Sequence, residues 1–312
     1  MIFHFILNPK SGRSRKHQNI ENAIKEACQK RKLSYHIYYT TCQGDATEYV
    51  KSMVRITDVK QRFICIGGDG TLNEIVNSAP CNPNVEFGVI PNGSGNDFVN
   101  NFTNKSLFSS VDAQIDGDTA SLDLIKCNDN YCVNMVNIGF DCAVAREAAK
   151  LKKKIKLFPP KFAYTLGVFK VVFRKIGTPM RLVFDDGEVI EKLFTLTSIA
   201  NGRYCGGGYC AAPYALMDDG IMDIAAINKI SRLTFFGLLK SYKKGTYLEK
   251  KRAQNILTHK RVPHFRMEFK EPLPICIVGE IKGAKNIDFT VVKNAFNFVI
   301  PKGSDFKDKE KK

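Results

Sequence analysis

Three short apolar runs in the first hundred residues each end in a polar segment; the first segment is rich in small residues, and the other two are rich in glycine. Ile2–Leu7 is followed by Asn-Pro-Lys-Ser-Gly, Arg62–Ile66 by Gly-Gly-Asp-Gly-Thr-Leu-Asn-Glu, and Phe87–Ile90 by Pro-Asn-Gly-Ser-Gly-Asn-Asp-Phe. Short apolar runs bounded by turn residues are typical of buried parallel strands. The loops that follow such strands meet at one edge of the sheet, so we expect these three loops to converge on one crevice.

Amphipathic segments separate the apolar runs. Apolar residues recur at helical spacing in two of them, at Ile20, Ala23, Ile24 and Ala27 and again at Ala46, Tyr49, Val50 and Met53. The predicted strands are Ile2–Leu7, Leu33–Tyr39, Arg62–Ile66 and Phe87–Ile90. Because strands alternate with helices, residues 1–120 are predicted to form a doubly wound α/β domain.

The second half of the chain has a different pattern. Residues 121–295 contain many short strand-like segments, with turn residues at Asp129-Asn130 and Asp186-Gly187. This pattern predicts an antiparallel β-sandwich or barrel-like domain, interrupted by basic helical insertions near residues 142–175 and 231–253. The tail from Lys302 is expected to be solvated and disordered. The alternative is that the segment 296–312 packs back onto the first domain.

The amino-acid composition is that of a globular protein. The chain has 312 residues, 44% of them hydrophobic and 25% charged, which fits two globular domains. No apolar run is long enough to span a membrane, and Ile2–Leu7 lacks the flanks of a secretion signal. The ten cysteines are scattered, so reduced thiols and a cytoplasmic location are expected.

The charge points to a polyanionic partner. The formal net charge of +16 predicts attraction to nucleic acid, an anionic bilayer or a phosphorylated ligand. No recognised nucleic-acid module or basic-aromatic platform is visible in the sequence, so a nucleic-acid partner is not expected.

The segment after Arg62–Ile66 carries the clearest chemical signal. Its glycines let the backbone approach a phosphate closely, and amides at the start of the following helix favour negative charge. The Asp69 carboxylate would repel that phosphate unless a cation such as Mg²⁺ lay between them. The alternative is a glycine turn with Asp69 as a helix cap, and the segment Asn8–Gly12 could likewise be an ordinary strand-to-helix turn.

Taken in order and at these spacings, the three segments resemble the catalytic family of diacylglycerol, sphingosine and ceramide kinases. The similarity is greatest to its bacterial diacylglycerol-kinase-like branch, and it continues through Gly206–Gly208, Ala212-Pro213 and Leu216–Asp223. The resemblance implies an ATP- and Mg²⁺-dependent lipid kinase with its active site in a cleft between an α/β domain and a β-sandwich domain. Diacylglycerol is the expected acceptor, giving phosphatidic acid, at the inner membrane surface.

The resemblance also implies which residues form the sites. It places ATP against Asn8, Pro9, Lys10, Ser11, Gly12, Thr40, Gly67, Gly68, Asp69, Gly70, Thr71, Leu72, Asn73 and Ser94. It implies a water-linked network around Mg²⁺ formed by Asp69, Asp97 and Asp219, and a structural Mg²⁺ held by Leu216, Asp219 and Ile221. The alternative for Asp218 and Asp219 is an ordinary turn capped by aspartates.

A base is also expected, because the acceptor hydroxyl must lose its proton during transfer. In the family this base is a glutamate in an Asp-Gly-Glu sequence. The matching segment here is Val278-Gly279-Glu280, so Glu280 is the candidate base and Val278 replaces the usual aspartate. The alternative for Glu280 is a surface glutamate at the end of a strand.

Two segments mix basic and bulky apolar residues. One is Leu151–Phe158, and the other contains Leu233, Phe236, Leu239 and Tyr242 beside Lys240, Lys243, Lys244, Lys250, Lys251 and Arg252. Such segments can lie on an anionic bilayer in a salt-sensitive manner. The equally open interpretation is that the apolar stripes cover the β-domain and the lysines are merely solvated.

Two rival functions remain at this point. An NAD kinase shares the Gly-Gly-Asp-Gly-Thr loop, but the first and third loops and the late Gly-Glu favour the lipid branch. A non-catalytic nucleotide- or membrane-binding module would fit the charge, but the complete set of carboxylates argues against it. Besides diacylglycerol, the alternative acceptors are sphingosine, ceramide, another lipid alcohol and a polyprenol, all of which present a hydroxyl, and a homodimer is one expectation for the oligomeric state.

Overall fold

The computed structural model describes residues 1–12, 14–154, 166–168, 170–173 and 177–307. The chain forms two compact units: unit 1 comprises Met1–Asp123 and Lys293–Lys312, and unit 2 comprises Leu124–Val292. The sequence placed the corresponding boundaries after residues 120 and 295.

Unit 1 contains a parallel sheet. Its strands are β1 (Ile2–Leu7), β2 (Ser34–Tyr39), β3 (Gln61–Gly67) and β4 (Val85–Pro91). They lie in the order β2-β1-β3-β4, and all three pairings are parallel. The C-terminal part of the long last strand, β15 (Glu280–Ile300), runs parallel to β4, with Asn297 opposite Glu86.

Helices cover both faces of this sheet. They are α1 (Ser14–Arg31), α2 (Asp45–Ile56), α3 (Asp69–Ser78) and α4 (Val111–Ile115), with 3₁₀ turns at Phe98–Asn101 and Lys105–Ser109. Phe5 and Leu7 of β1 pack with Ile24 of α1 on one face. On the other face, His4 stacks on Phe63 with ring centroids 4.5 Å apart and bonds Tyr49 of α2. The doubly wound α/β fold is therefore confirmed.

The C-terminal tail corrects one expectation. Up to residue 307 it is ordered on unit 1 rather than solvated, because Phe306 pairs with Phe102 and its ring lies 5.1 Å from the Phe102 ring. The Lys307 amide donates to the Asn101 carbonyl at 2.9 Å. The many lysines and aspartates of the tail suggested disorder. The packing of Phe306 on the buried Phe102 ring stabilises the ordered tail in spite of this composition. The last five residues lie outside the described part of the chain.

Unit 2 is built from antiparallel strands. They are β5 (Asp118–Cys127, which begins in unit 1), β6 (Asn130–Cys132), β7 (Met135–Gly139), β8 (Thr178–Phe184), β9 (Val189–Ala200), β10 (Tyr204–Cys205), β11 (Tyr209–Cys210), β12 (Met222–Asn228), β13 (Leu257–Val262), β14 (His264–Ile277) and the first part of β15. Both β7 and β8 pair with β9 and with β14, so these four strands close around a core that includes Ile138, Leu182 and Phe265. The sandwich- or barrel-like expectation is confirmed.

Helices pack on the outside of these strands. They are α5 (Phe140–Lys154), α6 (Arg232–Lys244) and α7 (Lys251–Gln254). The Ser231 side chain caps the start of α6, and Gly245 at φ 77° ends it. No helix in the described ranges is long and apolar enough to cross a membrane. Half of the predicted basic segment at 151–158, from residue 155 on, lies outside those ranges.

Two details of the predicted strands were wrong. The hairpin between β5 and β6 turns at Asn128-Asp129, one residue earlier than expected, because Asn128 adopts the left-handed conformation with φ 50°. The segments His-Phe-Arg-Met-Glu-Phe-Lys and Pro-Ile-Cys-Ile are one strand, β14, with a register shift between Glu268 and Leu273. Pro272, which has no amide hydrogen for a ladder, lies within that shift.

A two-residue turn joins β14 to β15. Ile277 pairs with Glu280, and the two residues between them, Val278 and Gly279, have φ of 46° and 89°. Positive φ at both central positions is the geometry of a type I′ hairpin, which favours Asn-Gly or Asp-Gly. A β-branched residue is strained there, so the structure explains why an aspartate suits this position better than Val278.

Replacing this strained residue should stabilise unit 2. Val278→Asn relieves the left-handed strain at a small loss of packing, and we expect the free energy of unfolding to rise by about 1 kcal/mol. Urea denaturation followed by circular dichroism measures the change. Val189→Asn, at an exposed valine in the extended strand β9, is the matched control and should give no gain. A loss of stability in Val278→Asn would show that the valine contacts outweigh the strain.

Candidate active site

The loops after β1 and β3 are bonded to each other. The Asn8 amide donates to the Ile66 carbonyl at 3.1 Å, and the Asn8 side chain donates to the Thr71 hydroxyl at 3.1 Å. Strand order reverses between β1 and β3, since β2 lies beyond β1 and β4 lies beyond β3. Ligands of doubly wound folds bind at this kind of switch point.

The loop after β4 joins the same edge. The Asn92 amide donates to Gly67 O at 2.7 Å, and the Asn92 side chain donates to Ser11 O at 3.0 Å. The backbones of Gly68 and Gly93 touch, since a Cβ added to Gly93 would lie 2.5 Å from the Gly68 Cα. The structure therefore brings the three loops together, as the sequence suggested, and glycine is required where two of them meet.

The remaining predicted contacts of unit 1 surround this meeting point. The Thr40 amide donates to Leu7 O at 2.9 Å, which places Thr40 at the end of β2 beside the first loop. The Lys10 ammonium group donates to Thr41 O at 3.2 Å and is exposed, so it can turn toward an anion. Pro9, Ser11 and Gly12 share the first loop, Gly70 and Asn73 lie in α3, and exposed Ser94 lies in the third loop.

The N-terminus of α3 is suited to an anion. Gly68 is its N-cap, and among the described residues no side chain hydrogen-bonds there as a cap. Amides at such a terminus favour negative charge. Leu72 contributes differently, because its side chain is fully buried and its amide donates to Gly68 O at 3.1 Å. Leu72 therefore anchors the helix, and the neighbouring Thr71 is also buried, with its hydroxyl accepting from the Asn8 side chain.

Asp69 links the second and third loops. Its two carboxylate oxygens accept hydrogen bonds from the amides of Asp97 at 3.0 Å and Phe98 at 2.9 Å. Burial raises the pKa of Asp69 despite these backbone hydrogen bonds, which lower it. The carboxylate is thus a structural tie between loops, a role that neither the metal-network nor the helix-cap interpretation had included.

Asp97 brings a second carboxylate to the same place. An oxygen of Asp97 and one of Asp69 lie 3.2 and 3.3 Å from the position of a Cβ on Gly95. Two carboxylates beside an anion-binding helix terminus fit a hard cation that neutralises both. Within the described chain, however, no three His, Cys, Asp or Glu side chains converge as a metal cage. The donor set fits a cation whose remaining ligands are water and phosphate oxygens.

The predicted structural-metal turn lies in unit 2, just before β12. Asp219 accepts a hydrogen bond from the Ile221 amide at 3.0 Å, and its other oxygen pairs with the Arg261 guanidinium. Leu216 is half-buried in the same turn. The aspartate-capped turn is therefore present, and a cation there would rely on backbone carbonyls because Arg261 already neutralises the carboxylate.

Glu280 also lies in unit 2. It is the first residue of β15, directly after the strained Val278-Gly279 turn, and its side chain is half-buried. Its pairing with Ile277 across the hairpin fixes the backbone from which the side chain projects. The interdomain cleft that the resemblance implies stays a prediction.

The structure adds Asp141, which the sequence analysis passed over. It lies in the first turn of α5, lines a small apolar cavity of about 30 Å³, and accepts a hydrogen bond from the Tyr242 hydroxyl at 3.0 Å. Burial raises the pKa of Asp141 from 3.8 to about 6. The available signal was one aspartate inside the apolar segment Met135–Val144. Perturbed carboxyl groups in cavities are candidates for functional roles.

Comparison with known proteins decides the family. The diacylglycerol kinase catalytic domain matches residues 3–127, and the YegS C-terminal NAD kinase β-sandwich-like domain matches residues 134–300, more than half of the chain. The chain belongs to the family of diacylglycerol kinases and YegS-like lipid kinases. Family membership implies use of ATP and a divalent metal.

Individual relatives of this lipid kinase family member cover most of its length. The "Probable lipid kinase YegS-like" of Shewanella frigidimarina is 30% identical over 79% of this chain and 78% of its own. The diacylglycerol kinase of Bacillus subtilis is 27% identical over 95% of both chains. A diacylglycerol kinase structure from Bacillus anthracis shares the fold, with a TM-score of 0.68 at 21% identity over 96% of this chain and 97% of its own.

The Gly68–Gly93 contact should be essential for nucleotide binding in this family member. Gly93→Ala forces two backbones apart, so we expect at least a roughly tenfold loss of ATP affinity by isothermal titration calorimetry with Mg²⁺. Gly283→Ala is the control, because a Cβ there meets nothing within 4 Å. Thermal unfolding establishes that both variants fold. Wild-type ATP affinity in folded Gly93→Ala would contradict the convergence of the loops on the nucleotide.

The charge on Asp141 should cost stability above pH 6. Stability linked to protonated Asp141 is fully present below the ordinary pKa of 3.8 and is lost as pH rises through about 6. Asp141→Asn keeps an acceptor for Tyr242, so its unfolding free energy at pH 8 should exceed that of the wild type by roughly 2 kcal/mol. Urea denaturation from pH 4 to 8 tests this, with exposed Asp58→Asn as the control. A pH-independent difference would refute it.

Proposed function

We propose that this protein is an ATP- and Mg²⁺-dependent lipid kinase that transfers the γ-phosphate to a lipid hydroxyl. Diacylglycerol is the acceptor we favour, with phosphatidic acid as the product. One observation carries the proposal: three loops meet at the switch point of a parallel sheet, with a helix N-terminus and two carboxylates beside it. The lipid-kinase relatives supply the acceptor class.

The chain's own residues would orient the nucleotide by backbone contact. Gly68 and Gly93 are half-buried and leave the loop backbones accessible, and the amides at the start of α3 favour phosphate oxygens. Lys10 adds a mobile positive charge at the rim. Asn8 and Asn92 hold the loops in register, so their role is positioning.

Asp69 and Asp97 would hold Mg²⁺, through water, against the phosphates. Bound there, the ion would neutralise charge on the transferring group. Both oxygens of Asp69 already accept backbone hydrogen bonds, which leaves this carboxylate better suited to water-mediated than to direct coordination. Asp219 would contribute through the turn that it caps.

Glu280 would accept the proton of the acceptor hydroxyl. A carboxylate can act as the base when it is held within hydrogen-bond reach of that proton. The tight turn before Glu280 limits its freedom, which supports this role. An acceptor of this class sits in a bilayer, so we also propose a cytoplasmic protein peripheral to the inner membrane surface.

The test is transfer of labelled phosphate from ATP to lipids. The protein is incubated with Mg²⁺ and mixed micelles of diacylglycerol, sphingosine, ceramide or a polyprenol, with NAD as a soluble control. We expect label in diacylglycerol, and at least a roughly hundredfold lower turnover in Glu280→Gln with ATP affinity retained. Glu271→Gln, an exposed glutamate on β14, should behave like the wild type.

Other outcomes have definite meanings. Labelled phosphate found only in NAD would show that the acceptor is a dinucleotide and not a lipid. ATP binding without transfer to any acceptor would favour a non-catalytic module. Full activity in Glu280→Gln would remove Glu280 as the base while leaving the kinase assignment in place.

A further inference from the structure

Helix α6 has apolar side chains on two opposite faces. Phe235, Leu238 and Tyr242 are buried against the strands of unit 2. On the other side, Leu233 is 86% exposed and Phe236, one turn further on, is 41% exposed. A helix that covers a sheet needs one apolar face. Covering the strands therefore does not account for Leu233, which is almost fully exposed beside the partly exposed Phe236.

A third exposed apolar side chain is held beside this pair. Phe173 is 68% exposed. Arg232, the first residue of α6, donates to Val172 O at 2.9 Å and to Phe173 O at 3.2 Å, and its guanidinium lies 5.8 Å from the Phe173 ring. These contacts fix Phe173 at the start of the helix. We call Phe173, Leu233 and Phe236 the apolar tip.

The charged residues of α6 all have one sign. The 13 residues of α6 include Arg232, Lys240, Lys243 and Lys244 and no acidic residue. At 100° per residue, all four basic residues fall on the outer half of the helix with Leu233 and Phe236. Lys243 and Lys244 complement the C-terminal end of the helix dipole, but Arg232 lies at the N-terminal end, where a positive charge is unfavourable. Helix stability therefore does not account for the whole set.

The sequence analysis treated Leu233, Phe236, Leu239 and Tyr242 as one group, and the structure divides that group. The side chains of Leu239 and Tyr242 line the cavity that contains Asp141. The apolar stripe is thus divided, with Leu233 and Phe236 facing outward and Leu239 and Tyr242 facing inward. The interpretation in which the stripe only covers the β-domain accounts for the inner residues, and it does not account for the exposure of Leu233.

We propose that the apolar tip and the basic residues of α6 form a docking surface for an anionic phospholipid bilayer. Phe173, Leu233 and Phe236 enter the boundary between head groups and acyl chains, and the lysines meet lipid phosphates. Bulky apolar side chains surrounded by lysines are complementary to a surface that is apolar inside and negative outside. A protein partner would have to supply both features on one patch.

Docking would place the Asp141 cavity close to the bilayer. Its lining residues Phe235 and Tyr242 lie on the inner side of the same helix, and a helix with its side chains is about 10 Å thick. The significance of this proximity for lipid phosphorylation rests on the proposed function. The docking surface itself does not depend on it.

The first experiment uses the absence of tryptophan from the chain. Leu233→Trp in the full-length protein gives a single fluorophore at the apolar tip, and Ile56→Trp gives one at a 72% exposed site on α2. With vesicles of phosphatidylcholine and phosphatidylglycerol, we expect a blue shift and quenching by brominated lipid for Leu233→Trp alone. Phosphatidylcholine vesicles should give neither change.

The second experiment measures sedimentation with the same vesicles. We expect Leu233→Ser/Phe236→Ser and Lys240→Glu/Lys244→Glu each to lower the partition coefficient at least roughly tenfold, since one basic residue near an anionic surface contributes about fivefold. The charge-matched control, Lys270→Glu/Lys285→Glu, changes exposed lysines of unit 2 outside α6. It should lower binding much less, and added salt should weaken binding of the wild type.

Three results would overturn the proposal. The first is an unchanged fluorescence spectrum of the Leu233→Trp variant on anionic vesicles, and the second is equal sedimentation of Leu233→Ser/Phe236→Ser and the wild type. The third is a shift to smaller oligomers in that double variant without loss of vesicle binding, which would make the tip a contact between copies of this chain. Vesicle binding is read without phosphate transfer, so an inactive protein that binds vesicles refutes the kinase proposal alone.

Discussion

The hydrogen bonds between the Asp69 carboxylate and the amides of Asp97 and Phe98 hold the candidate site of unit 1 together. They fix the loop after β4 to the start of α3, and the contact between Gly68 and Gly93 forms at this junction. Hydrogen bonds from amides to an ionised carboxylate are stronger than hydrogen bonds between neutral groups, so these two contribute more to holding the loops together. The geometry of the loops after β3 and β4 therefore depends on this one side chain, while Asn8 and Asn92 hold the loop after β1 against them.

The same arrangement creates an electrostatic requirement. The N-terminus of α3 favours an anion, but Asp69 and Asp97 stand beside it, and burial already raises the pKa of Asp69. Phosphate and carboxylates can share this place when a cation lies between them. The chemistry that the family implies, a triphosphate with a divalent metal, satisfies that requirement. In unit 2, α6 likewise has two roles: one face covers the strands, and the other carries Leu233 among lysines.

Much of the fold was predictable because the spacing of apolar residues along the sequence indicates which side of a helix or strand is buried. The strands of unit 1 were predicted to within two residues at either end, and the glycine-rich loops after β1, β3 and β4 identified the edge where a ligand would bind. What failed depended on partners distant in sequence. The tail was expected to be disordered, but Phe306 pairs with Phe102, which lies far from it along the chain. Burial of the Leu72 side chain was likewise decided by the tertiary structure, and its contact with the nucleotide stays a prediction.

The sequence by itself determined the fold class, the order of the loops and the family, because each is encoded in local spacing and residue type. Only the tertiary structure decided what each side chain contacts. It made Asp69 a tie between loops, engaged Asp219 with Arg261, and showed Asp141 in an apolar cavity. It also separated the outer Leu233 from the inner Tyr242 on one helix. Helical spacing shows that residues share a stripe, but burial depends on the surface against which the helix packs.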